Sequence, residues 1–101
     1  MDKIYSVYDE KAQVFNTPFT CVNEAVAVRS FTDICFNGAN MVAKYPSDFK
    51  LYHVGDFDAV KGTITALDVP EFVVSAMQVV NSHLSSREES DDADISSAVH
   101  M

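Results

Sequence analysis

Residues 50–62, KLYHVGDFDAVKG, decide how this 101-residue chain folds. The first part of the stretch is typical of a β-strand, in which successive side chains point to opposite faces of a sheet. Asp56, Asp58 and Gly62 favour a turn, because Asp bonds nearby backbone groups and Gly accepts a positive φ. The β-branched run at 63–65 favours a returning strand. The stretch therefore predicts a β-hairpin with a loop of several residues.

The start of the chain repeats this pattern. Residues 3–9, KIYSVYD, and residues 50–56, KLYHVGD, carry Lys, Ile or Leu, Tyr, Val and Asp at the same spacing. A polar turn and a second apolar run follow each segment. Two interpretations stay open: chance convergence of two strands with similar tasks, or a pseudo-symmetric pair of hairpins in one sheet. The second interpretation places Tyr5 and Tyr52 at equivalent positions.

One amphipathic helix is predicted between the hairpins. Asn23 is a favourable N-cap, because its side chain can accept a hydrogen bond from a free N–H of the first turn. Apolar residues then recur at the spacing of a single helical face. Asn37 and Gly38 are typical of a helix end. We expect this helix at about residues 24–36.

The remaining segments are less regular. Pro18 cannot donate to a strand ladder, so residues 12–22 are predicted to form an edge strand or a bulge. Residues 38–48 are predicted to be a connection. Pro70 can open a second helix as its first residue, and apolar residues at helical spacing then predict an amphipathic helix over 71–84.

Charge and composition limit the classes of function. The chain has a net charge of −8, and residues 1–70 carry −3 of it, from six Lys and Arg against nine Asp and Glu. An acidic protein repels phosphate, so binding of nucleic acid requires a local patch. Residues 85–101 are rich in Ser, Asp and Glu and are predicted to be a disordered tail. That tail either keeps the protein soluble or acts as a decoy that takes the place of phosphate on a basic partner.

The reactive side chains do not form a catalytic or metal-binding pattern. Cys21 and Cys35 are too few for a disulfide framework or a four-ligand zinc site, and both lie in apolar stretches that predict buried, reduced thiols. His53, His83 and His100 lack metal-ligand spacing. We therefore expect no enzyme, no metal and no cofactor. No signal peptide or stretch of about 20 apolar residues is present, so a membrane location is not expected.

Five segments stand in one order along the chain, and the one at 45–58 is the most specific. They are YSVYDEKA at 5–12, PF at 18–19, EAVAVRSF at 24–31, YPSDFKLYHVGDFD at 45–58, and Gly62. Over roughly residues 3–70, the chain thereby resembles the small nonstructural protein family encoded by the fifth open reading frame of gokushovirus-type microviruses. The segment from Pro70 onward is outside this resemblance.

The resemblance implies a role in viral single-stranded DNA synthesis or genome packaging in the host bacterial cytoplasm. The family's role is compared with that of the C protein of other microviruses, which turns replication toward single strands. No catalytic motif is carried over. The acidity of this chain departs from what direct DNA binding suggests.

Two surfaces are candidates for contact with partners. Cations beside aromatic rings on the shared strand face would suit single-stranded DNA, with the rings stacking on bases; the alternative is that both tyrosines lie in the core. The second candidate is the 71–84 helix, which would dock a viral replication or capsid protein, or a second copy of the chain. The DNA-binding set is Lys3, Tyr5, Lys50 and Tyr52, and the partner-binding set is Phe72, Val73, Met77 and Val80.

The predicted architecture is α+β. It comprises a four-stranded antiparallel sheet in β-β-α-β-β order over residues 1–70, one helix packed on the sheet, a second helix at 71–84 and an acidic tail at 85–101. The expected function is that of a nonstructural phage protein with at most weak contact to single-stranded DNA. The alternative is a non-enzymatic interaction module that self-associates.

Overall fold

An antiparallel sheet with helices on one side forms the described part of the chain, residues 1–83 of a computed structural model. This confirms the α+β prediction; the predicted acidic tail at 85–101 lies outside the described residues. The strands are β1 (Asp2–Asp9), β2 (Val14–Phe15), β3 (Phe19–Cys21), β4 (Phe49–Asp58) and β5 (Thr63–Ser75). The helices are α1 (Glu24–Phe36), α2 (Met41–Lys44) and α3 (76–83), with a 3-10 turn at Pro46–Asp48.

The strands lie in the order β2-β1-β4-β5, and β3 also pairs with β1. The two short strands β2 and β3 occupy the place of the single irregular strand predicted over residues 12–22. They are separated at residues 16–18, where Pro18 cannot donate to the ladder. Each predicted hairpin is therefore present, with β2 and β3 returning along β1 and β5 returning along β4.

The two similar strands share the sheet, since β1 runs antiparallel to β4 along its whole length. The interpretation that places Tyr5 and Tyr52 at equivalent positions is nevertheless wrong. Tyr5 pairs with His53, whereas Tyr52 pairs with Ser6. Paired residues share a face and successive residues alternate, so Tyr5 and Tyr52 point to opposite sides of the sheet.

Helix α1 covers one face of the sheet, as its apolar spacing predicts. Asn23 Oδ1 accepts a hydrogen bond from the Val26 N–H at 3.0 Å, which confirms the predicted cap. The buried residues of the helix are Ala27, Phe31 and Cys35. They form the core together with sheet residues that include Tyr5, Val7, Phe49 and Leu51.

The connection between α1 and β4 is more ordered than predicted, because Asn40 organises it. Its side chain accepts from the Ala43 N–H at 3.0 Å and so caps α2. Its amide also donates to the carbonyls of Ile34 and Asn37, at 3.0 and 2.7 Å. One side chain thereby closes the end of α1 and opens α2.

The predicted start of the second helix at Pro70 is wrong. Strand β5 continues through Pro70 to Ser75, because Phe72 pairs with Tyr52 and Ser75 with Lys50. Helix α3 begins at residue 76. There Gln78 N–H donates to Ser75 Oγ at 3.1 Å, and Ser75 N–H donates to Gln78 Oε1 at 2.9 Å. This is a capping box, and the Ser-x-x-Gln spacing at 75–78 is its signature in the sequence.

Candidate nucleic-acid interface

Four aromatic rings lie side by side on the sheet face opposite α1, and we call them the aromatic row. Between ring centroids, Phe15 lies 4.7 Å from Tyr8 and 5.5 Å from Tyr52. Tyr52 in turn lies 6.1 Å from Tyr8 and 5.8 Å from Phe72. Strands β2, β1, β4 and β5 each contribute one ring. The pairings Tyr8–Phe15 and Tyr52–Phe72 set this arrangement, since paired side chains share a face.

The two end rings of the row are open to solvent. Phe15 is 44% exposed and Phe72 is 51% exposed, whereas Tyr8 and Tyr52 are half-buried between them. Such exposed rings can stack on flat ligands, and every nucleic-acid base has a suitable face.

An irregularity in β5 forms a shallow groove beside the row. Glu71 and Ala66 of β5 pair with His53 and Gly55 of β4, so the β5 residues between them bulge out of the ladder. The groove has a volume of about 380 Å³ and is lined by Tyr8, Phe15, Tyr52, Val69 and Pro70.

Lys50 places one positive charge next to the rings. It pairs with Tyr8 across β1 and β4, so its side chain lies on the same face as the aromatic row. Its ammonium group forms an ion pair with Glu10. The hydrogen bond that Lys50 donates to the Glu10 carboxylate raises the pKa of Lys50. The lysine is therefore positively charged, but its charge is already paired with the carboxylate of Glu10.

The structure does not bring the four predicted DNA-binding residues onto one surface. Lys50 and Tyr52 lie together on the outer face. Tyr5 is fully buried in the core. Burial is the main reason that the pKa of Tyr5 is raised, and the negative charge of Glu24 raises it further. Lys3 is exposed nearer the start of β1, where it pairs with Cys21 and Asp56. The alternative of a tyrosine in the core thus holds for Tyr5.

Sequence reasoning missed Tyr8, Phe15 and Phe72 as members of this surface. Tyr8 lies two residues from Ser6, which faces Tyr52, so strand alternation places it on that face once the register is known. Phe15 lies in a two-residue strand and Phe72 in a segment that helical spacing assigned to a helix. Local pattern alone did not identify either of them.

The predicted partner-binding set is also divided. Val73 and Val80 pack against the protein's own core. Phe72 and Met77 point outward, with 51% and 38% of their surface exposed. Phe72 and Val73 lie in β5 rather than in a helix, because β5 continues to pair with β4 at these positions.

His53 is a buried side chain on the core face, and both of its ring nitrogens lie near polar groups. Its Nε2 lies 2.8 Å from the Gly55 carbonyl oxygen and 3.1 Å from Asp56 Oδ1. Its Nδ1 lies 3.7 Å from Glu71 Oε2. Nε2 donates to the carbonyl, since a carbonyl oxygen only accepts. These contacts hold the ring across the irregular part of the β4–β5 ladder.

The two thiols are free and buried, as their apolar surroundings predict. Burial raises the pKa of Cys35 to about 11, so this thiol is protonated at neutral pH and is a poor nucleophile. Within residues 1–83, no three His, Cys, Asp or Glu side chains are grouped so that they could hold a metal ion. None of the helices described for these residues has the length and apolar character needed to span a membrane.

Comparison with known proteins identifies relatives. A family model described as "Phage ORF5 protein" matches residues 2–79. Protein ORF5 of Chlamydia phage 1 is 32% identical to this chain over 68 residues, which cover 63% of this chain and 71% of that protein. No solved structure matches. The matched range contains all five strands and therefore the whole aromatic row.

Proposed function

The chain belongs to the phage ORF5 protein family, and we propose that it acts as a nonstructural protein in viral single-stranded DNA synthesis or genome packaging. It does so without catalysing a reaction, in the host bacterial cytoplasm, by holding single-stranded DNA on the aromatic row. The observation that carries this proposal is the contiguity of four rings from four strands on the sheet face that α1 leaves uncovered.

Base stacking supplies most of the proposed affinity. Phe15 and Phe72 each offer an exposed ring, and a base stacked on an aromatic ring contributes about 1–3 kcal/mol. Two such bases would contribute roughly 2–6 kcal/mol, which corresponds to weak binding. This suits a protein that must release the strand as it is copied or packaged.

Electrostatics contribute little to this mode of binding. Lys50 is the cation beside the row, and it is already paired with Glu10. Each phosphate neutralised on a single strand lowers the logarithm of the binding constant by about 0.7 per tenfold rise in salt. We therefore expect a slope of about −1 or shallower, not the steep dependence of a basic DNA-binding protein.

Fluorescence anisotropy with a labelled oligothymidylate tests the proposal. Phe72→Ala and Tyr52→Ala should each weaken binding several-fold, because each removes a ring from the row. Tyr45→Ala is the matched control, since Tyr45 is 51% exposed but lies outside the row. Absence of binding at low salt, or equal affinity of Phe72→Ala and Tyr45→Ala, would reject direct contact with DNA.

A second candidate function is docking of a viral replication or capsid protein. The exposed side chains of Phe72, near the end of β5, and of Met77, at the start of α3, favour it. Size-exclusion chromatography of the purified chain with each viral protein tests it. Met77→Asp should abolish co-elution and leave DNA affinity unchanged; co-elution that persists in this variant rejects the surface.

A further inference from the structure

Strand β5 forms one long edge of the sheet. β5 is the last strand in the order β2-β1-β4-β5, and within residues 1–83 no strand pairs with its outer side. An edge strand presents a row of N–H and C=O groups that can pair with another strand.

Protection of this edge is uneven. Its middle carries Asp68, Pro70 and Glu71 in and beside the bulge, and charge, proline and bulges are devices that prevent pairing between edges. Residues 63–66, Thr-Ile-Thr-Ala, contain no charge, proline or glycine. All four are exposed, and Ile64 has 69% of its surface exposed. The segment next to the hairpin loop therefore lacks these protective devices.

We propose that residues 63–66 pair antiparallel with the same residues of a second copy, around a twofold axis at Ile64. A twofold axis normal to a sheet places one residue opposite its own copy, because paired residues must share a face. With the axis at Ile64, each Thr63 lies opposite Thr65 of the second copy. Thr–Thr and apolar cross-strand pairs both stabilise antiparallel strands.

The neighbouring side chains favour this register. With the axis at Ile64, the two Ile64 side chains lie directly opposite each other and form an apolar cross-strand pair. With the axis at Thr65, Ile64 would instead lie opposite the smaller Ala66. Ile64 also shares a face with the half-buried Phe57 of β4, so the twofold axis would bring two isoleucines and two phenylalanines together.

This dimer goes beyond the proposed function and does not depend on it. A twofold axis normal to the sheet would leave both aromatic rows on the same side of one larger sheet. DNA binding and dimer formation can therefore be measured separately, and either can fail alone.

Disulfide trapping tests the register. Ile64→Cys should form a covalent dimer under mild oxidation, because the two Cβ atoms of a directly opposed pair lie about 4.5–5.5 Å apart. The matched control is Ala66→Cys, since the two copies of residue 66 would be offset by four residues, roughly 14 Å along the strands. The native thiols are buried and give little background. Trapping at 66 and not at 64, or equal trapping at both, overturns the proposal.

Light scattering across a dilution series tests the dimer without a new thiol. The natural sequence should move from twice the chain mass to the chain mass on dilution. Ile64→Lys places two like charges opposite each other and should raise the dimer dissociation constant about tenfold or more, with an unchanged circular dichroism spectrum because Ile64 is exposed. Val69→Lys, at a side chain that is 72% exposed, should leave the constant unchanged. A strict monomer at high concentration, or equal effects of the two variants, refutes the pairing.

Discussion

Tyr5 lies directly opposite His53 in the pairing of β1 with β4, and their ring centroids are 5.3 Å apart. Both side chains are buried. His53 is hydrogen-bonded to Gly55 and Asp56, whereas the Tyr5 hydroxyl has no partner in residues 1–83. An unpaired hydroxyl in an apolar core opposes folding, because it loses its hydrogen bonds to water.

Tyr5→Phe should therefore stabilise the protein. We expect the free energy of unfolding to rise by about 1 kcal/mol, since the ring stays in place and the unpaired hydroxyl is removed. Urea denaturation at pH 7 measures this, with Tyr8→Phe on the outer face as the control that changes little. A loss of stability in Tyr5→Phe would mean that the hydroxyl has a partner after all.

Gly55→Ala should destabilise the protein strongly. A Cβ atom at position 55 would lie 2.8 Å from the Thr65 carbonyl oxygen. That atom belongs to the backbone of the paired strand, so the clash is relieved only by separating β4 from β5. We expect a loss of about 2 kcal/mol or more, within the range for overpacking. Gly38→Ala is the control, because open space surrounds that position, and similar losses in the two variants would contradict this account.

Cys35 should make the protein less stable in alkaline solution. Burial raises the pKa of its thiol from 9.0 to about 11 in the folded chain. Between these pH values the unfolded chain loses this proton and the folded chain keeps it, so stability falls as pH rises. The contribution of the protonated Cys35 thiol to the free energy of unfolding is fully present below pH 9, and it is lost as the pH rises through about 11.

The comparison of slopes isolates this thiol. Cys35→Ala should show a shallower decline of the free energy of unfolding between pH 9 and pH 11 than the natural sequence. Only the slopes are compared, because the smaller side chain lowers stability at every pH. Parallel curves would show that the thiol does not control this titration.

The capping box at the start of α3 should be energetically coupled. Ser75→Ala removes the acceptor for the Gln78 N–H and should cost about 1 kcal/mol of stability. Gln78→Ala removes the reciprocal bond and should cost less, because Ser75 N–H lies near the chain surface. A double-mutant cycle by thermal or urea unfolding should give a double variant that loses less than the sum of the two. Strict additivity would contradict the reciprocal arrangement.

Local chemistry made the helix and the strands predictable. The cap at Asn23 and the apolar spacing after it determine α1 without help from distant residues. The repeated pattern at 3–9 and 50–56 identified the two central strands, because both strands bury alternate residues in one core. These features depend on neighbours in the sequence, which a single sequence displays.

The register between β1 and β4, and the choice between strand and helix after Pro70, could not be predicted from local sequence. Whether Tyr5 or Ser6 faces Tyr52 depends on how two strands more than forty residues apart are aligned, and a shift of one residue exchanges the faces. The segment after Pro70 has apolar residues that suit a helix. Its backbone nevertheless pairs with β4 as far as Ser75, so the segment continues the sheet. The aromatic row follows from both effects, so its full membership needed the structure.

The position of β1 inside the sheet has a consequence for how the protein is made. β1 is synthesised well before β4, yet Asp2 pairs with Phe57. Closing a loop of more than fifty residues costs entropy before any contact compensates for it, and folding dominated by such distant contacts is slow. While the ribosome is still translating the middle of the chain, one side of β1 remains unpaired, and chaperones would have their main opportunity to bind in that interval.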